Sequence, residues 1–369
     1  MRAFLTGVSI AVLLALPIGS TRAAEGDLDV LFKGPGNSSV RAINQAGSVV
    51  GFRMLPSKDP KIHEERPFYS SKGKVKVIPK LPKFTASFVT AISDTEIAVG
   101  FCSRAAKAFG DPGHNLQAFT WEAATGKLTS LPLPASHERC MAFGISSNGS
   151  RISGVCGGAD LMNACVWEKT AAGWECKTLP GSENSRLLVT SGACISRDGN
   201  SIAAVDGIKP ARWTRQADGS WSGKVLKDED LFIPKAINDA GVMVGYRRLD
   251  ETSGHHVAVI WTDKDGMKDI GLLPNTHTSQ ALSINNEGLV VGVSEEPGVR
   301  GGPQAFVYQK GKLAPLDMPM VVVSYAYAIN EKGQVAGYCG RIDDENVCAF
   351  VWTPKKNEQK PQPKPQSKP

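Results

Sequence analysis

One short line of sequence decides the fold: residues 234–247 read PKAINDAGVMVGYR. An apolar run leads into Asn-x-x-Gly, and a second apolar run follows and ends on Gly-Tyr. Asn caps a tight turn through its side chain, and Gly supplies the positive φ that closes a short loop between antiparallel strands. The line therefore predicts a β-hairpin.

Almost the same line occurs seven times along the chain, at intervals of 42 to 53 residues. Spacings of this size are typical of propellers, solenoids and arrays, in which one unit alone cannot bury its apolar surface. Each copy is aligned on one isoleucine: Ile43, Ile92, Ile145, Ile195, Ile237, Ile284 and Ile329.

A second line lies between successive copies and reads QAFTWEAATGKLTSLP from residue 117 and VAVIWTDKDGMKDIGLLP from residue 257. Alternating apolar runs bounded by Asn, Gly and Pro indicate strands. One repeat is therefore read as four strands, which end in Ala-Ile-Asn, Val-Val-Gly, Ala-Phe-x-Trp and Leu-x-x-Leu-Pro. Four strands per repeat, seven times, predict an all-β chain that forms a seven-bladed β-propeller of four-stranded blades.

The two ends of the repeat region complement one another. The last copy, CAFVWTP from Cys348, is a third strand and leaves the seventh blade one strand short. The segment LDVLFKG from Leu28 resembles a fourth strand with no repeat in front of it. We expect this N-terminal strand, residues 28–33, to complete the seventh blade and so remove the open edges of the ring.

The residue types suggest where each strand lies in a blade. Small residues (Ala, Gly and Ser) in the first two strands suit a crowded centre. Five of the seven tryptophans recur in the third strand and suit packing between blades farther out, and these are Trp121, Trp167, Trp213, Trp261 and Trp352.

The ends of the chain differ in composition from the repeats. Residues 1–23 have a basic start, an apolar run of secretory length and a small-residue exit, which predicts a cleaved signal peptide and a periplasmic or secreted protein. Residues 24–354 are the propeller, and no stretch in them is apolar enough to predict a transmembrane segment. Residues 355–369 are rich in Pro, Lys and Gln, which predicts a disordered tail.

Charge argues against nucleic acid as a partner. The chain carries 42 Lys+Arg against 36 Asp+Glu, but without residues 1–23 and the tail it has 35 of each. A nucleic-acid-binding domain concentrates positive charge on its folded part. The basic tail is either a plain solvated end or a weak electrostatic tether to an anionic envelope surface.

The repeat lines resemble the group called "probable extracellular repeat, HAF family", whose units carry Ala-Ile-Asn-x-x-Gly-x-Val-x-Gly followed by (His)-Ala-Phe-x-Trp. The matches run from about 28 to 354 and include residues 117–121, 304–308 and 348–352, with Gln or Cys in place of the leading His. The resemblance implies an extracytoplasmic location and a propeller-like architecture. It implies no reaction.

The long and varied connections, from strand two to three and from strand four to the next repeat, are predicted to share one face of the ring. Variable loops on a rigid scaffold are where binding usually occurs. We find no motif for a catalytic residue, a metal ligand set or a cofactor. The candidate binding residues on this long-loop face are His63, His114, His137, Arg247, Arg248, His255, His256 and His277.

Two functions follow from these observations. The favoured one is a non-catalytic binding or interaction propeller that engages a protein or glycan ligand through the long-loop face. The alternative is a propeller hydrolase or lyase with acid/base residues in the same loops. Whether the protein is an enzyme stays open, since a fold does not determine a function.

The eight cysteines fit an oxidising compartment. Equal spacings of nine residues predict the disulfides Cys156–Cys165 and Cys339–Cys348 across equivalent connections. Cys102 and Cys140 form a third bond or stay free. If the Ala-Ile-Asn strand is innermost, Cys176 and Cys194 are too far apart to bond, and they pair only if the Ala-Phe-x-Trp strand is innermost instead.

We expect removal of residues 355–369 to leave the melting temperature unchanged within about 1 °C, since the tail contributes no apolar side chain to a core. Differential scanning calorimetry of the full chain and the truncated chain measures this. A clear fall in melting temperature would show that the tail packs on the propeller.

Overall fold

The computed structural model describes residues 24–32, 36–56, 63–104, 115–134, 137–158, 162–182, 193–206, 209–226, 232–249, 254–295, 302–341 and 346–355. These residues form seven four-stranded antiparallel sheets, each built from strands that are consecutive in the chain except at the closure. The predicted seven-bladed propeller is confirmed. Within the described residues, no helix has the length and apolar character needed to cross a membrane.

The strands are numbered in chain order and grouped by blade. The first blade is β2 (Ser38–Ile43), β3 (Val49–Pro56), β4 (His63–Ser71) and β5 (Lys74–Val77); the second is β6 (Ala86–Ile92), β7 (Ile97–Ser103), β8 (Leu116–Glu122) and β9 (Leu128–Ser130). The third is β10 (Arg139–Ile145), β11 (Arg151–Gly157), β12 (Met162–Thr170) and β13 (Gly173–Thr178); the fourth is β14 (Cys194–Ile195), β15 (Ser201–Asp206), β16 (Lys209–Arg215) and β17 (Trp221–Val225).

The remaining three blades follow the same order. The fifth is β18 (Phe232–Ile237), β19 (Met243–Arg248), β20 (His256–Thr262) and β21 (Gly266–Gly271); the sixth is β22 (Thr278–Ile284), β23 (Val290–Glu295), β24 (Gln304–Gln309) and β25 (Lys312–Pro315). The seventh is β26 (Val321–Ile329), β27 (Val335–Arg341) and β28 (Val347–Pro354), and its fourth strand is β1 (Gly26–Val30).

The N-terminal strand closes the ring. β1 pairs antiparallel with β28, and this register sets Leu28 opposite Trp352 and Val30 opposite Phe350. The strand occupies 26–30 rather than the expected 28–33, and Lys33 lies outside the described residues. Closure supplies a fourth strand to the seventh blade and hides the edge of β28, an edge that would otherwise be open to pairing with another chain.

The turn asparagines do two jobs. Asn44 Oδ1 accepts a hydrogen bond from the Ser48 N–H (2.9 Å) and so caps its own turn. Its Nδ2 donates to the carbonyl of Ser93 in the second blade (3.0 Å). Asn330 Nδ2 donates in the same way to the carbonyl of Asn44 (3.0 Å), which joins the seventh blade to the first. The repeated line thus links neighbouring blades as well as closing hairpins.

The third-strand tryptophans join blades farther from the centre, as expected. Trp167 Nε1 donates to the carbonyl of Pro132 in the preceding blade (2.7 Å), and Trp213 Nε1 donates to that of Pro180 (2.9 Å). Both indole rings are buried. In these two blades the Leu-Pro end of the preceding fourth strand therefore supplies the acceptor for the tryptophan, because a buried indole N–H needs a partner.

The innermost strands share one recurring departure from regular β-pairing. In six of the seven first strands, the residue directly before the aligned Ala-Ile-Asn or its equivalent is skipped in the register with the second strand and has no cross-strand partner; β26 skips Val322 as well. A β-bulge of this kind bends the strand and re-aims the unpaired side chain. The bulge residues are Arg41, Thr90, Phe143, Lys235, Leu282 and Tyr327.

The structure differs from the expectation for the cysteines, since it contains none of the predicted disulfides. Cys339 and Cys348 are direct partners across β27 and β28. Cys156 instead faces Asn163, two residues before Cys165. The two pairs are therefore not equivalent, although their spacing in the sequence is the same.

The arrangement of blades also argues against the third bond. Cys102 packs in the core between the first and second blades, whereas Cys140 packs in the core between the second and third. Cys176 lies on β13, the outermost strand of its blade, and Cys194 lies on β14, an innermost strand. This is the frame expected when the Ala-Ile-Asn strand is innermost.

We expect deletion of residues 24–34 to lower the melting temperature by on the order of 5 °C or more, since it removes the β1–β28 ladder and exposes Trp352. Thermal unfolding followed by circular dichroism, with light scattering to detect aggregation, measures the effect. Deletion of residues 356–369 is the matched control. An unchanged melting temperature for the first deletion would contradict closure by β1.

Candidate functional site

A cavity of about 550 Å³ lies at the centre of the ring. All six bulge residues line it, together with Ala193, which stands before Cys194 as Arg41 stands before Ala42. We call these seven positions the bulge ring. Because each blade contributes one member, the cavity is surrounded by seven different side chains: Arg41, Thr90, Phe143, Ala193, Lys235, Leu282 and Tyr327.

Ion pairs between blades close the end of the channel at the short turns. Arg197, in the turn after the innermost strand of the fourth blade, contacts Asp94 of the second blade (Nη2–Oδ2 2.5 Å) and Glu331 of the seventh (Nε–Oε1 3.3 Å). These pairs span the ring rather than joining neighbours. The cavity is also lined by Phe52, in the middle of β3, by Phe101, toward the end of β7, and by Glu65, near the start of β4. It therefore lies toward the long-loop face.

Two aromatic groups face the cavity from different blades. Phe88 stacks on Phe101 with ring centroids 5.1 Å apart, and Phe143 lies 6.1 Å beyond Phe101. On the seventh blade, the rings of Tyr325 and Tyr327 are 4.5 Å apart. Aromatic faces in a cavity bind the apolar face of a ligand, and tyrosine adds a hydroxyl for hydrogen bonding.

The cavity carries two cations and one carboxylate among its described lining residues. The Arg41 guanidinium lies 4.3 Å from the Tyr327 ring centroid, and Lys235 Nζ lies 5.5 Å from that of Tyr246. Desolvation lowers the pKa of Lys235. Desolvation also raises the pKa of Glu65, although the charge of Arg41 acts in the opposite direction. The site therefore presents partly desolvated positive charge beside aromatic faces.

Burial perturbs the tyrosines of the seventh blade as well. Desolvation first, and then the neighbouring Tyr327 and Glu295, raise the pKa of Tyr338 to about 12. Desolvation likewise raises the pKa of Tyr325. A phenol is neutral at physiological pH even without such a shift, so both hydroxyl groups can donate a hydrogen bond.

The channel lining corrects one expectation and shows a signal that the residue-type search missed. Small residues were expected at the centre, yet the bulge ring holds arginine, lysine, leucine and two aromatic residues. In every repeat the bulge residue stands directly before the aligned Ala-Ile-Asn (or its equivalent), and it differs from blade to blade. A variable position inside an otherwise regular line is the feature that marks the site.

Among the predicted histidines whose side chains the structure describes, only His256 approaches the cavity. His256 Nε2 lies 2.8 Å from Gln280 Nε2, which lines the cavity, and its ring is 5.0 Å from that of Tyr246. His255 and His277 are exposed on the same face. His114 and the side chain of His63 lie outside the described residues.

The other three predicted residues lie away from the channel. Two side-chain nitrogens of Arg247, Nε and Nη2, donate to the Asp269 carboxylate at 2.8 and 2.7 Å. This is a bidentate pair within the fifth blade. Arg248 is exposed. His137 lies between the second and third blades, where its Nε2 is 3.3 Å from Asn163 Nδ2.

Comparison with known sequences gives a partial match of unknown function. A protein-family profile described as "Protein of unknown function (DUF3466)" matches residues 234–359. A search of curated proteins finds no match.

Solved structures are similar in fold at low identity. The β-propeller domain of the Trilobed protease from Pyrococcus furiosus is 11% identical, with a TM-score of 0.57 over 87% of this chain and 94% of that one. A Mycobacterium tuberculosis puromycin-hydrolysing peptidase is 11% identical (TM-score 0.53, 92% and 55% covered). The Pyrococcus horikoshii acylaminoacyl peptidase is 12% identical (TM-score 0.50, 85% and 52% covered). This chain spans about half the length of the two peptidases, and the likeness shows the propeller fold alone.

We expect Lys235→Met to raise the melting temperature by roughly 1–3 °C at pH 7. The lowered pKa of Lys235 means that its charged form is less favourable in the folded chain than in the unfolded one. This cost is full below the folded pKa and disappears as the pH rises above the unfolded value near 10.5. The gain should therefore shrink toward that pH.

Scanning calorimetry between pH 7 and about 10.5 measures the difference from the unmodified chain. Lys169→Met, at an exposed position on β12, is the matched control and should change little. A lower melting temperature for Lys235→Met would show that the lysine holds the channel together and is not kept at a cost in stability.

Proposed function

We propose that the protein is a non-catalytic recognition propeller that binds an anionic ligand, best fitted by an acidic glycan, in the cavity inside the bulge ring. The observation that carries the proposal is the bulge ring itself. Its side chains differ at every blade, whereas the residues around them repeat. Repetition serves the scaffold, and difference at one position per blade creates an asymmetric surface suited to one ligand.

The chemistry of the lining supports an anion with an apolar face. Arg41 and Lys235 are the charged members of the bulge ring, and none of its seven side chains is acidic. A guanidinium binds a carboxylate through two parallel hydrogen bonds, and desolvation strengthens such contacts. The apolar face of a sugar ring stacks on Phe143 or Tyr327. A volume of about 550 Å³ lies within the usual range for small-ligand sites.

A hydrolase or lyase is the alternative, and one observation favours it. Glu65 lines the cavity with a raised pKa, which is a property of general acids. Acid/base cleavage of a glycoside requires a second carboxylate at a defined distance, and no other carboxylate lines the cavity in the described part of the chain. Product analysis after incubation with acidic oligosaccharides tests this alternative, and turnover lost in Glu65→Gln would establish it.

We also propose that the protein acts in the periplasm or outside the cell. The pattern of residues 1–23 and the resemblance of the repeat lines to the extracellular HAF repeats support this location. The tail is proposed as a weak tether to an anionic envelope surface. Cell fractionation of the full chain tests the location, and a cytoplasmic chain that keeps residues 1–23 would contradict it.

We expect the purified protein to bind an acidic oligosaccharide, with short oligogalacturonates as the probe, at least about 10-fold more tightly than a neutral oligosaccharide of equal length. Isothermal titration calorimetry measures both. Arg41→Met and Lys235→Met should each weaken binding roughly 10- to 100-fold, the loss of one charge-assisted contact.

The matched control is Arg248→Met, since Arg248 is an exposed arginine that does not line the cavity. It should leave the affinity unchanged. Equal loss from Arg248→Met would place binding on the outer surface and contradict the proposed site. Binding of a protein from the same compartment that is insensitive to Arg41→Met would contradict both the site and the ligand class.

A further inference from the structure

Three cysteines of the third blade bring their sulfur atoms together. Cys156 is on β11, Cys165 on β12 and Cys176 on β13. Cys156 faces Asn163, two residues before Cys165, and Cys176 faces Trp167, two residues after it, so the three share one face of the sheet. Their Sγ atoms all lie within 4.8 Å of one another. We call them the three-thiol cluster.

Two members of the cluster stand where most of the other blades carry a larger apolar side chain. Cys165 takes the place of the phenylalanine in Ala-Phe-x-Trp, and Cys176 takes a leucine position opposite the aromatic residue of the third strand. The exchange removes side-chain volume from a buried layer and puts sulfur there. The counterparts of Cys165 in the other blades are Phe68, Phe119, Ala211, Val259, Phe306 and Phe350, and those of Cys176 are Val75, Leu128, Gly223, Met267 and Leu313.

The fourth cysteine of this blade has an ordinary structural role. Cys140 Sγ accepts a hydrogen bond from the Ala118 N–H (3.2 Å). In another pair of blades, Ser279 Oγ accepts from the Ala258 N–H (2.9 Å) in the same way. Cys140 thus does what serine does elsewhere in the ring. No such repeat role accounts for the grouping of the other three thiols.

Unsatisfied polar atoms lie beside the cluster. Asn163 faces Cys156 across the strands, and its Oδ1 is buried without a hydrogen-bond partner. The same is true of Nδ1 of His137, whose Nε2 contacts the Asn163 amide. Buried polar atoms are rarely left without partners in a folded protein, so these two point to an additional polar or ionic group nearby.

We propose that Cys156, Cys165 and Cys176 form a binding site for one thiophilic d¹⁰ cation, Cu(I) or Zn(II). Soft thiolates select these ions. A metal–sulfur bond of about 2.3 Å places three ligating sulfurs about 4 Å apart, which fits their spacing. The cation offsets the cost of burying thiolates, and each thiol that becomes a ligand releases its proton. Cys176 is half-buried and lies on the outermost strand, which supplies an entry path.

The test uses the full chain, reduced and kept without oxygen, after its free thiols have been counted. It is titrated with Cu(I) against bicinchoninate and, separately, with Zn(II) against a chromophoric chelator. We expect one equivalent of metal to be bound in competition, with release of protons, and the more strongly retained ion identifies the natural one. Cys165→Ser and Cys176→Ser should lose the bound equivalent.

Matched variants and a second readout guard against misfolding. Cys339→Ser and Cys348→Ser change the other cysteine pair and should keep the bound metal. The metal should raise the melting temperature of the unmodified chain and of these controls but not that of Cys176→Ser. Retention of the metal by Cys165→Ser would overturn the proposal. The proposal would also be overturned if the purified protein contained a Cys156–Cys165 disulfide and if, after its reduction, the three thiols bound no metal.

Discussion

The amide side chain of the turn asparagine is the interaction on which the ring depends. The same side chain accepts a hydrogen bond from an N–H of its own turn and donates one to a carbonyl of the next blade. Serine at the same position caps the turn in the second, third and fourth blades, as Ser93 does for Ile97. There the link between blades passes to the backbone, for example from the Ser147 N–H to the Arg197 carbonyl (2.7 Å). Together these hydrogen bonds form a polar layer at the short-turn end of the channel, which we call its floor.

Because this floor holds the ends of the innermost strands together, it also determines how the rest of each strand is arranged. Strands that converge on a closed ring have little room between them, and a bulge in nearly every one turns a single side chain into the channel. The scaffold and the site are therefore separated within one line of sequence. Ala-Ile-Asn holds the blades together, and the residue before it contacts whatever enters. The ring is completed by β1, whereas the similar propeller of the Trilobed protease has an open velcro topology.

The parts of this structure that could be predicted from sequence are those governed by local period and by repetition. Hairpins, blade number, closure and the tryptophan layer all follow from them. The bulge ring does not, because a β-bulge is a feature of the pairing between two strands, and the sequence of one strand does not show which of its residues lacks a cross-strand partner. The candidate histidines were selected by residue type, which does not show where a side chain lies, and among those whose side chains the structure describes only His256 approaches the channel. The three-thiol cluster depends on cross-strand offsets that equal sequence spacings concealed.

Side chains at the bulge positions of different blades face one shared ligand volume. Leu282→Glu is the decisive variant, because it adds a negative charge to the bulge ring from a blade that carries neither cation. The measurement is the affinity for an acidic oligosaccharide, by calorimetry, with the melting temperature recorded on the same sample. We expect the affinity to fall about 10-fold or more, through like-charge repulsion, with little change in melting temperature. An unchanged affinity in a folded protein would contradict it.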